Sequence, residues 1–183
     1  SIAAEKITGA KLPKWNHSIP HPAHPTRLSS PTERGVGGEG KMDFIYFPSC
    51  ISRQLGNPKS DSHPSLAETF MTIAQRADVT LHIPENVRSH CCGMPFASKG
   101  YKQAYQVALH NTLTQMWAWS EHGKYPIVID TTSCTHALRT CSDGLSAEGR
   151  ELWTKLTILD GVEFLHDYVL PKLELHPVDD EVV

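Results

Sequence analysis

The sequence lacks any long hydrophobic stretch and any strong excess of charge. No apolar run approaches the roughly 18 residues of a membrane span, so we expect no transmembrane segment. No signal peptide is recognisable, which leads us to expect a reducing compartment. The net charge of −3 provides no electrostatic reason to expect nucleic acid or an anionic membrane as partner. With 39% hydrophobic and 20% charged residues, the 183-residue chain is typical of one soluble globular domain.

Cysteine is also scarce, since the chain has five. An odd number in a chain without a recognisable export signal argues against a disulfide scaffold. In a reducing compartment, clustered thiols bind metal or carry out redox chemistry. The positions of the cysteines are therefore more informative than their number.

Four cysteines are arranged around one short stretch, in which the adjacent Cys91 and Cys92 are followed by Gly93. Cys50 and Cys134 flank this pair at almost equal distances along the chain, and each follows an apolar run typical of a strand. Soft thiolates that converge usually hold zinc or an iron–sulfur cluster. The alternative is four unrelated buried cysteines, because a free cysteine behaves as a small hydrophobic residue. The repeated context favours convergence.

The chain from residue 42 onward predicts an α/β fold, with a mainly parallel sheet and helices on both faces. Apolar runs alternate with stretches of helical periodicity. The predicted strands are 43–47, 79–83, 125–129 and 157–159. Predicted helices follow Ser65, span about 99–121, follow Asp130 and begin at Asp160, where Asp160 and Glu163 match a capping box.

In a parallel sheet, the loops after the strands gather at the carboxyl edge and build the site. Cys50, Cys91, Cys92 and Cys134 all lie on such loops, so the topology predicts that they meet. Helix N-termini near three of them are expected to lower the thiol pKa values. Cys141 is different. It follows Cys134 by seven residues, about two helical turns or roughly 10 Å along a helix, so we interpret it as a core residue and not as part of the cluster.

The predicted domain organisation has three parts. Residues 1–41 are rich in proline and predict an extended arm or linker. Residues 42–176 form the domain, and residues 177–183 resemble the start of a further strand. The chain begins at Ser1 without an initiator Met, so we expect a piece of a longer protein. The glycines of 35–40 match G-x-G-x-x-G, but they precede a strand, so we expect no nucleotide site there.

Three segments together resemble a known family: "FPSCISR", "CCGMPFASKG" and "DTTSCTHAL". They are similar to the cysteine-rich CCG domain of heterodisulfide reductases, of the glycolate oxidase iron–sulfur subunit and of FAD- and iron–sulfur-containing D-lactate dehydrogenases. The sequences of the three segments are most similar to those of the last group. The resemblance covers about residues 42–176 and implies a single CCG-type lobe.

The resemblance also departs from the heterodisulfide reductase pattern, in which a C-x-x-C supplies a fifth ligand to a noncubane cluster. Here Thr135, His136 and Ala137 follow Cys134, so that fifth cysteine is missing. The metal ligands predicted are Cys50, Cys91, Cys92 and Cys134, with His136 as an accessory candidate. Four cysteines suit a [4Fe–4S] cluster, with zinc as the alternative.

The resemblance implies an electron-transfer role in a flavin-linked D-lactate or related 2-hydroxy-acid dehydrogenase. Catalytic, flavin and substrate sites are expected in absent upstream domains, and none in this chain. Expected partners are the upstream flavin and ferredoxin-like domains, a second CCG repeat, and an acceptor such as a quinone or cytochrome. A cytoplasmic location is expected, or a peripheral one at the inner face of the membrane. Two alternatives stay open: a heterodisulfide-reductase-like thiol redox module, and a zinc-stabilised domain that docks subunits.

Overall fold

A computed structural model describes residues 43–55 and 63–176. Within these ranges the strands form one four-stranded sheet, and every neighbouring pair is parallel. The strand order is β2-β1-β3-β4. The strands are β1 (Asp43–Phe47), β2 (Thr80–His82), β3 (Ile127–Ile129) and β4 (Ile158–Asp160). The predicted arm 1–41 with its glycine-rich stretch, and the predicted tail 177–183, lie outside the described residues.

The described ranges contain seven α-helices, and they alternate with the strands. They are α1 (Cys50–Gln54), α2 (Leu66–Arg76), α3 (Met94–Ala97), α4 (Lys102–Trp119), α5 (Thr132–Arg139), α6 (Ala147–Thr154) and α7 (Gly161–Phe164). Short 3₁₀ turns lie at Val87–Ser89 and Cys141–Gly144, and α7 continues through a π turn, Leu165–Val169. The predicted α/β class is confirmed.

Helices cover both faces of the sheet. Successive side chains of a strand point in opposite directions, so Phe44 and Phe47, three positions apart, lie on opposite faces. On one face, the Phe44 ring meets Phe164 of α7 edge-on, with centroids 5.1 Å apart. On the other face, the Phe47 ring lies 6.0 Å from Trp119 of α4. Both phenylalanines are almost fully buried, so β1 is the centre of the core.

The helix starts follow the local sequence signals. Ser65 and Glu68 form a reciprocal capping box at α2, in which the Ser65 hydroxyl accepts from the Glu68 N–H. Asp160 and Glu163 form a second capping box at α7, as the D-x-x-E pattern predicted. Each box satisfies backbone donors that the first helical turn leaves free.

The strand register brings the carboxyl ends of β1, β3 and β4 to one level. Phe47 is paired with Ile129, and Ile129 is paired with Asp160. The chain therefore leaves these three strands side by side. The segments that carry Cys50 and Cys134 therefore start from adjacent strand ends.

Two predicted helices differ from the structure. The helix predicted over about 99–121 is α4, which spans the shorter range Lys102–Trp119, and Gly100, whose φ is +77, lies before its start. Cys141 begins a 3₁₀ turn, since α5 ends at Arg139. Among the described residues, no helix is both long and apolar enough to cross a membrane.

Candidate metal centre

Cys50 is placed by the sharp transition from β1 to α1. Phe47 ends the strand, and Ser49 has the extended backbone of an N-cap. The Ser49 hydroxyl accepts a hydrogen bond from the Ser52 N–H at 3.3 Å. Cys50 is thus the first residue of α1, directly beyond the carboxyl edge of the sheet.

Cys91 and Cys92 lie in a loop that ends at a left-handed glycine. Gly93 has φ +80 and serves as the N-cap of α3. A Cβ atom at Gly93 would lie 2.8 Å from Tyr105 Cδ2 of α4. The loop therefore requires glycine for two reasons: the backbone conformation and the close approach of the Tyr105 ring.

A buried hydroxyl of α4 anchors the Cys91 backbone. Thr112 is fully buried, and its Oγ1 donates to the Cys91 carbonyl oxygen at 2.8 Å. The same hydroxyl oxygen accepts from the Cys91 N–H at 3.2 Å. The position of this cysteine is thus tied to a long core helix, although the residue lies in a loop.

Cys134 lies in the first turn of α5, next to a carboxylate that joins two strand ends. Asp130 follows β3 and accepts from the Tyr46 hydroxyl at 2.9 Å and from the Ser49 N–H at 2.8 Å. Burial and this neighbouring carboxylate raise the pKa of Tyr46, so its hydroxyl stays a donor. Asp130 therefore fixes the segment that carries Cys50 against the one that carries Cys134.

The four sulfurs converge as two close pairs. The Cys92 thiol donates to Cys134 Sγ at 3.2 Å, and Cys91 Sγ lies 4.0 Å from Cys50 Sγ. Cys91 and Cys92 are adjacent in the chain, which links the two pairs. The sequence placed these thiols on three separate loops, and the fold brings them to one edge of the sheet.

One of the two thiol pairs is closer together than two ligands of one metal ion would be. In the described part of the chain, no group of three or more His, Cys, Asp or Glu residues is already arranged to hold a metal ion. Zn–S bonds of about 2.3 Å in a tetrahedron place sulfurs about 3.8 Å apart. The Cys92–Cys134 distance of 3.2 Å is shorter than that. These two thiols must separate before both can bind one metal, and the metal site stays a prediction.

The pKa values follow from hydrogen bonds among the thiols. The neighbouring Cys92 thiol and burial raise the pKa of Cys91, and donation to Cys134 raises the pKa of Cys92 to about 11. Burial raises the pKa of Cys50. Cys134 accepts the bond from Cys92, which lowers its pKa. The prediction that helix N-termini lower the thiol pKa values was wrong for Cys91 and Cys92, because thiol neighbours and burial outweigh the backbone N–H groups.

The site is closed on one side and open on the other. Cys92 is 2% exposed and Cys134 is 8% exposed, and both belong to the hydrophobic core. Cys50 and Cys91 are only half-buried. The Cys50–Cys91 pair is therefore the side from which a metal or a reactant reaches the buried pair.

Two other residues considered from the sequence lie differently. His136 is exposed on α5, and two residues of helix turn its side chain away from that of Cys134, so its accessory role stays a prediction. Cys141 is 2% exposed, and its thiol donates to the Leu138 carbonyl oxygen at 3.1 Å. The interpretation of Cys141 as a core residue agrees with this burial, although its helical placement was wrong.

Sequence reasoning did not single out three residues that build the site: Arg53, Thr112 and Asp130. Asp130 had one recognisable signal, since it directly follows a predicted strand and precedes a cysteine segment. Thr112 lies within the helix predicted over about 99–121, and no local pattern marks it as part of the site. Arg53 stands one turn after Cys50, and its contacts become visible only in three dimensions.

The fold and the site together define a class: a parallel α/β domain with a thiol cluster at the carboxyl edge of its sheet. A family model of the CCG cysteine-rich domain matches residues 44–139. Since the match covers more than half of the chain, the protein belongs to the CCG cysteine-rich domain family. No curated protein and no solved structure matches the chain significantly.

Family membership makes this chain a redox-type domain. CCG domains are found in oxidoreductase subunits and typically bind iron–sulfur clusters. The donor set fits such a group, because four soft thiols meet at one edge and two of them are open to solvent. The residues present are therefore chemically suited to a soft metal centre, once the close pair opens.

Proposed function

We propose that this domain is the iron–sulfur electron-transfer part of a flavin-linked D-lactate or related 2-hydroxy-acid dehydrogenase. Cys50, Cys91, Cys92 and Cys134 are the proposed ligands. The observation that carries the proposal is the convergence of their sulfurs, with contacts of 3.2 and 4.0 Å between residues more than 40 positions apart. The resemblance of the three cysteine segments to that dehydrogenase group supports the assignment to a 2-hydroxy-acid dehydrogenase.

When bound, an iron–sulfur cluster accepts and donates single electrons. The chain's own residues hold and orient the ligands. Asp130 fixes two strand ends to each other, and Thr112 fixes the Cys91 backbone. The hydrophobic core around Cys92 and Cys134 excludes water from the inner side, whereas the half-buried Cys50 and Cys91 face the outer side.

The proposed partners follow from the same assignment. Flavin and ferredoxin-like domains of the same polypeptide would deliver electrons, and a quinone or cytochrome would accept them. A second CCG repeat would complete the assembly. We propose a cytoplasmic location, or a peripheral one at the inner face of the membrane. Zinc is the alternative metal, in a domain that docks subunits.

Anaerobic reconstitution with iron and sulfide tests the proposal, followed by iron analysis, absorbance and EPR. We expect about four irons per chain, as for a [4Fe–4S] cluster, and a broad thiolate-to-iron absorption. Cys92→Ala should lose most of the iron, and the matched control Cys141→Ala should retain it. A wild-type chain that binds no iron but one zinc ion would favour the docking domain instead.

The Cys92–Cys134 contact also favours a second candidate, a thiol redox module. At 3.2 Å the two sulfurs need little movement to form a bond. Reaction with an external disulfide would join Cys92 to Cys134 and release two thiols, so two electrons and two protons leave the chain. The test is incubation of the reduced, metal-free chain with glutathione disulfide, followed by peptide mapping. Two released thiols with a mapped Cys92–Cys134 bond support the candidate, and an unreacted chain contradicts it.

A further inference from the structure

Arg53 bridges the two half-buried cysteine segments with one side chain. It lies on α1, three residues after Cys50. Its Nη1 donates to the Val87 carbonyl oxygen at 2.6 Å, and its Nη2 donates to the His90 carbonyl oxygen at 2.5 Å. Both acceptors belong to the loop that ends in Cys91. The guanidinium therefore joins the helix that begins with Cys50 to this loop.

Arg53 is also hydrogen-bonded to the start of its own helix. Arg53 Nε donates to the Ser49 carbonyl oxygen at 3.3 Å, and the Arg53 N–H donates to the same oxygen at 3.1 Å. The guanidinium carbon lies 5.6 Å from the centroid of the Phe47 ring. A planar guanidinium group that lies against a ring and forms hydrogen bonds through several nitrogens has little conformational freedom. It therefore holds the segments of Cys50 and Cys91 at a fixed distance.

The same guanidinium is a cation beside the thiol cluster. Its hydrogen bonds to the carbonyl oxygens of Ser49 and His90 place it beside the residues that directly precede Cys50 and Cys91. Arginine does not lose its proton in proteins. Thiolates that bind a metal carry negative charge into a half-buried place, and such charge is costly unless a cation compensates it. Arg53 is positioned to provide that compensation.

We propose that Arg53 is the positioning residue and charge partner of the thiolate site: it sets the spacing of Cys50 and Cys91 and offsets the charge of the assembled centre. The inference rests on the proposed metal site and deepens it. Loss of Arg53 weakens metal binding. It also lowers the reduction potential of a bound cluster, because the reduced state is the more negative one.

Two variants separate the roles of spacing and charge. Arg53→Gln removes both the charge and the guanidinium group. Arg53→Lys keeps the charge but cannot bridge the carbonyl groups of Val87 and His90. Arg88→Gln is the matched control, because it removes an exposed charge from the same loop. Circular dichroism and urea unfolding establish that each full chain is folded before metal is added.

The first readout is anaerobic titration with Co²⁺, followed through its thiolate charge-transfer bands. We expect Arg53→Gln to bind Co²⁺ about 10- to 100-fold more weakly than Arg88→Gln, the usual effect of losing an outer-shell partner. The second readout is the midpoint potential after reconstitution with iron and sulfide. It should fall in Arg53→Gln and stay near the wild-type value in Arg53→Lys. Equal affinities and potentials in Arg53→Gln and Arg88→Gln would overturn the inference.

A metal-free readout separates this inference from the proposed function. Diamide takes two electrons and two protons from a thiol pair and joins it as a disulfide. Formation of the Cys50–Cys91 disulfide, measured by peptide mapping, should be several-fold slower in Arg53→Gln than in Arg88→Gln. Equal rates would refute the positioning role. A wild-type chain that binds neither Co²⁺ nor a cluster, but shows this rate difference, would refute the metal site and leave the positioning role supported.

Discussion

The hydroxyl of Thr112 binds both backbone hydrogen-bonding groups of Cys91, as donor to its carbonyl oxygen at 2.8 Å and as acceptor from its N–H at 3.2 Å. A core helix thus holds a cysteine that belongs to a loop. This arrangement explains how a loop presents a thiol in a defined place.

Thr112→Val is expected to damage the site without changing the shape of the core. Valine has nearly the volume of threonine, but it leaves the Cys91 N–H and C=O without this partner, which costs about 1–3 kcal/mol. Urea unfolding measures this loss, and Co²⁺ titration should show weaker binding. The control Thr112→Ser keeps the hydroxyl and should bind Co²⁺ like the wild type. Equal Co²⁺ affinities for the two variants would contradict the anchoring role.

Gly93→Ala is expected to destabilise the protein more than Gly100→Ala. Both glycines have positive φ, so both substitutions carry a similar backbone strain. A Cβ at Gly93 would meet the Tyr105 ring at 2.8 Å, whereas at Gly100 it would meet nothing within 4 Å. We expect a difference of about 1 kcal/mol or more in the free energy of unfolding, as for overpacking of a dense site. Equal losses would mean that the ring moves away freely.

Cys141→Ala is expected to leave metal binding intact. Its thiol is buried in the core, so removal costs roughly 1 kcal/mol of stability through the small cavity left behind. Cys92→Ala should instead abolish most metal binding. Metal analysis and urea unfolding of the two variants check this. A strong loss of metal in Cys141→Ala would show that the fifth cysteine takes part in the site.

Metal affinity is expected to rise with pH. Cys91 and Cys92 have raised pKa values, so both are protonated near neutral pH and must release protons when they bind metal. Their raised pKa values therefore oppose binding at low pH, and this opposition weakens as the pH rises. Between pH 6 and pH 8, Co²⁺ affinity should increase about tenfold or more per pH unit. A flat profile would indicate that other groups bind the metal.

The sequence predicted the fold well where periodicity and caps agree. The strand 43–47 was placed at its observed bounds, and the Asp160–Glu163 capping box was identified from its spacing. The carboxyl-edge rule for parallel sheets placed the segments of Cys50 and Cys134 after strand ends at one edge, and β1 and β3 are paired there. These features depend on local patterns and on topology, both of which are visible in the residue order.

Other features depend on contacts between distant parts of the chain. The short helix α3, Met94–Ala97, was not predicted, because four residues are too few to show a helical periodicity. The pKa of Cys92 is decided by its contact with Cys134, 42 positions away, and not by the nearby helix N-terminus. Arg53 reaches carbonyl groups 34 and 37 positions away. No local pattern encodes such contacts.

The central claim is that one metal centre is held by Cys50, Cys91, Cys92 and Cys134. X-ray absorption at the metal edge of the reconstituted chain counts the ligands directly. We expect a first shell made only of sulfur, with metal–thiolate bonds of about 2.3 Å, in the wild type and in Cys141→Ala. Cys92→Ala should lose this shell. A first shell dominated by nitrogen or oxygen, or one that is unchanged in Cys92→Ala, would contradict the claim.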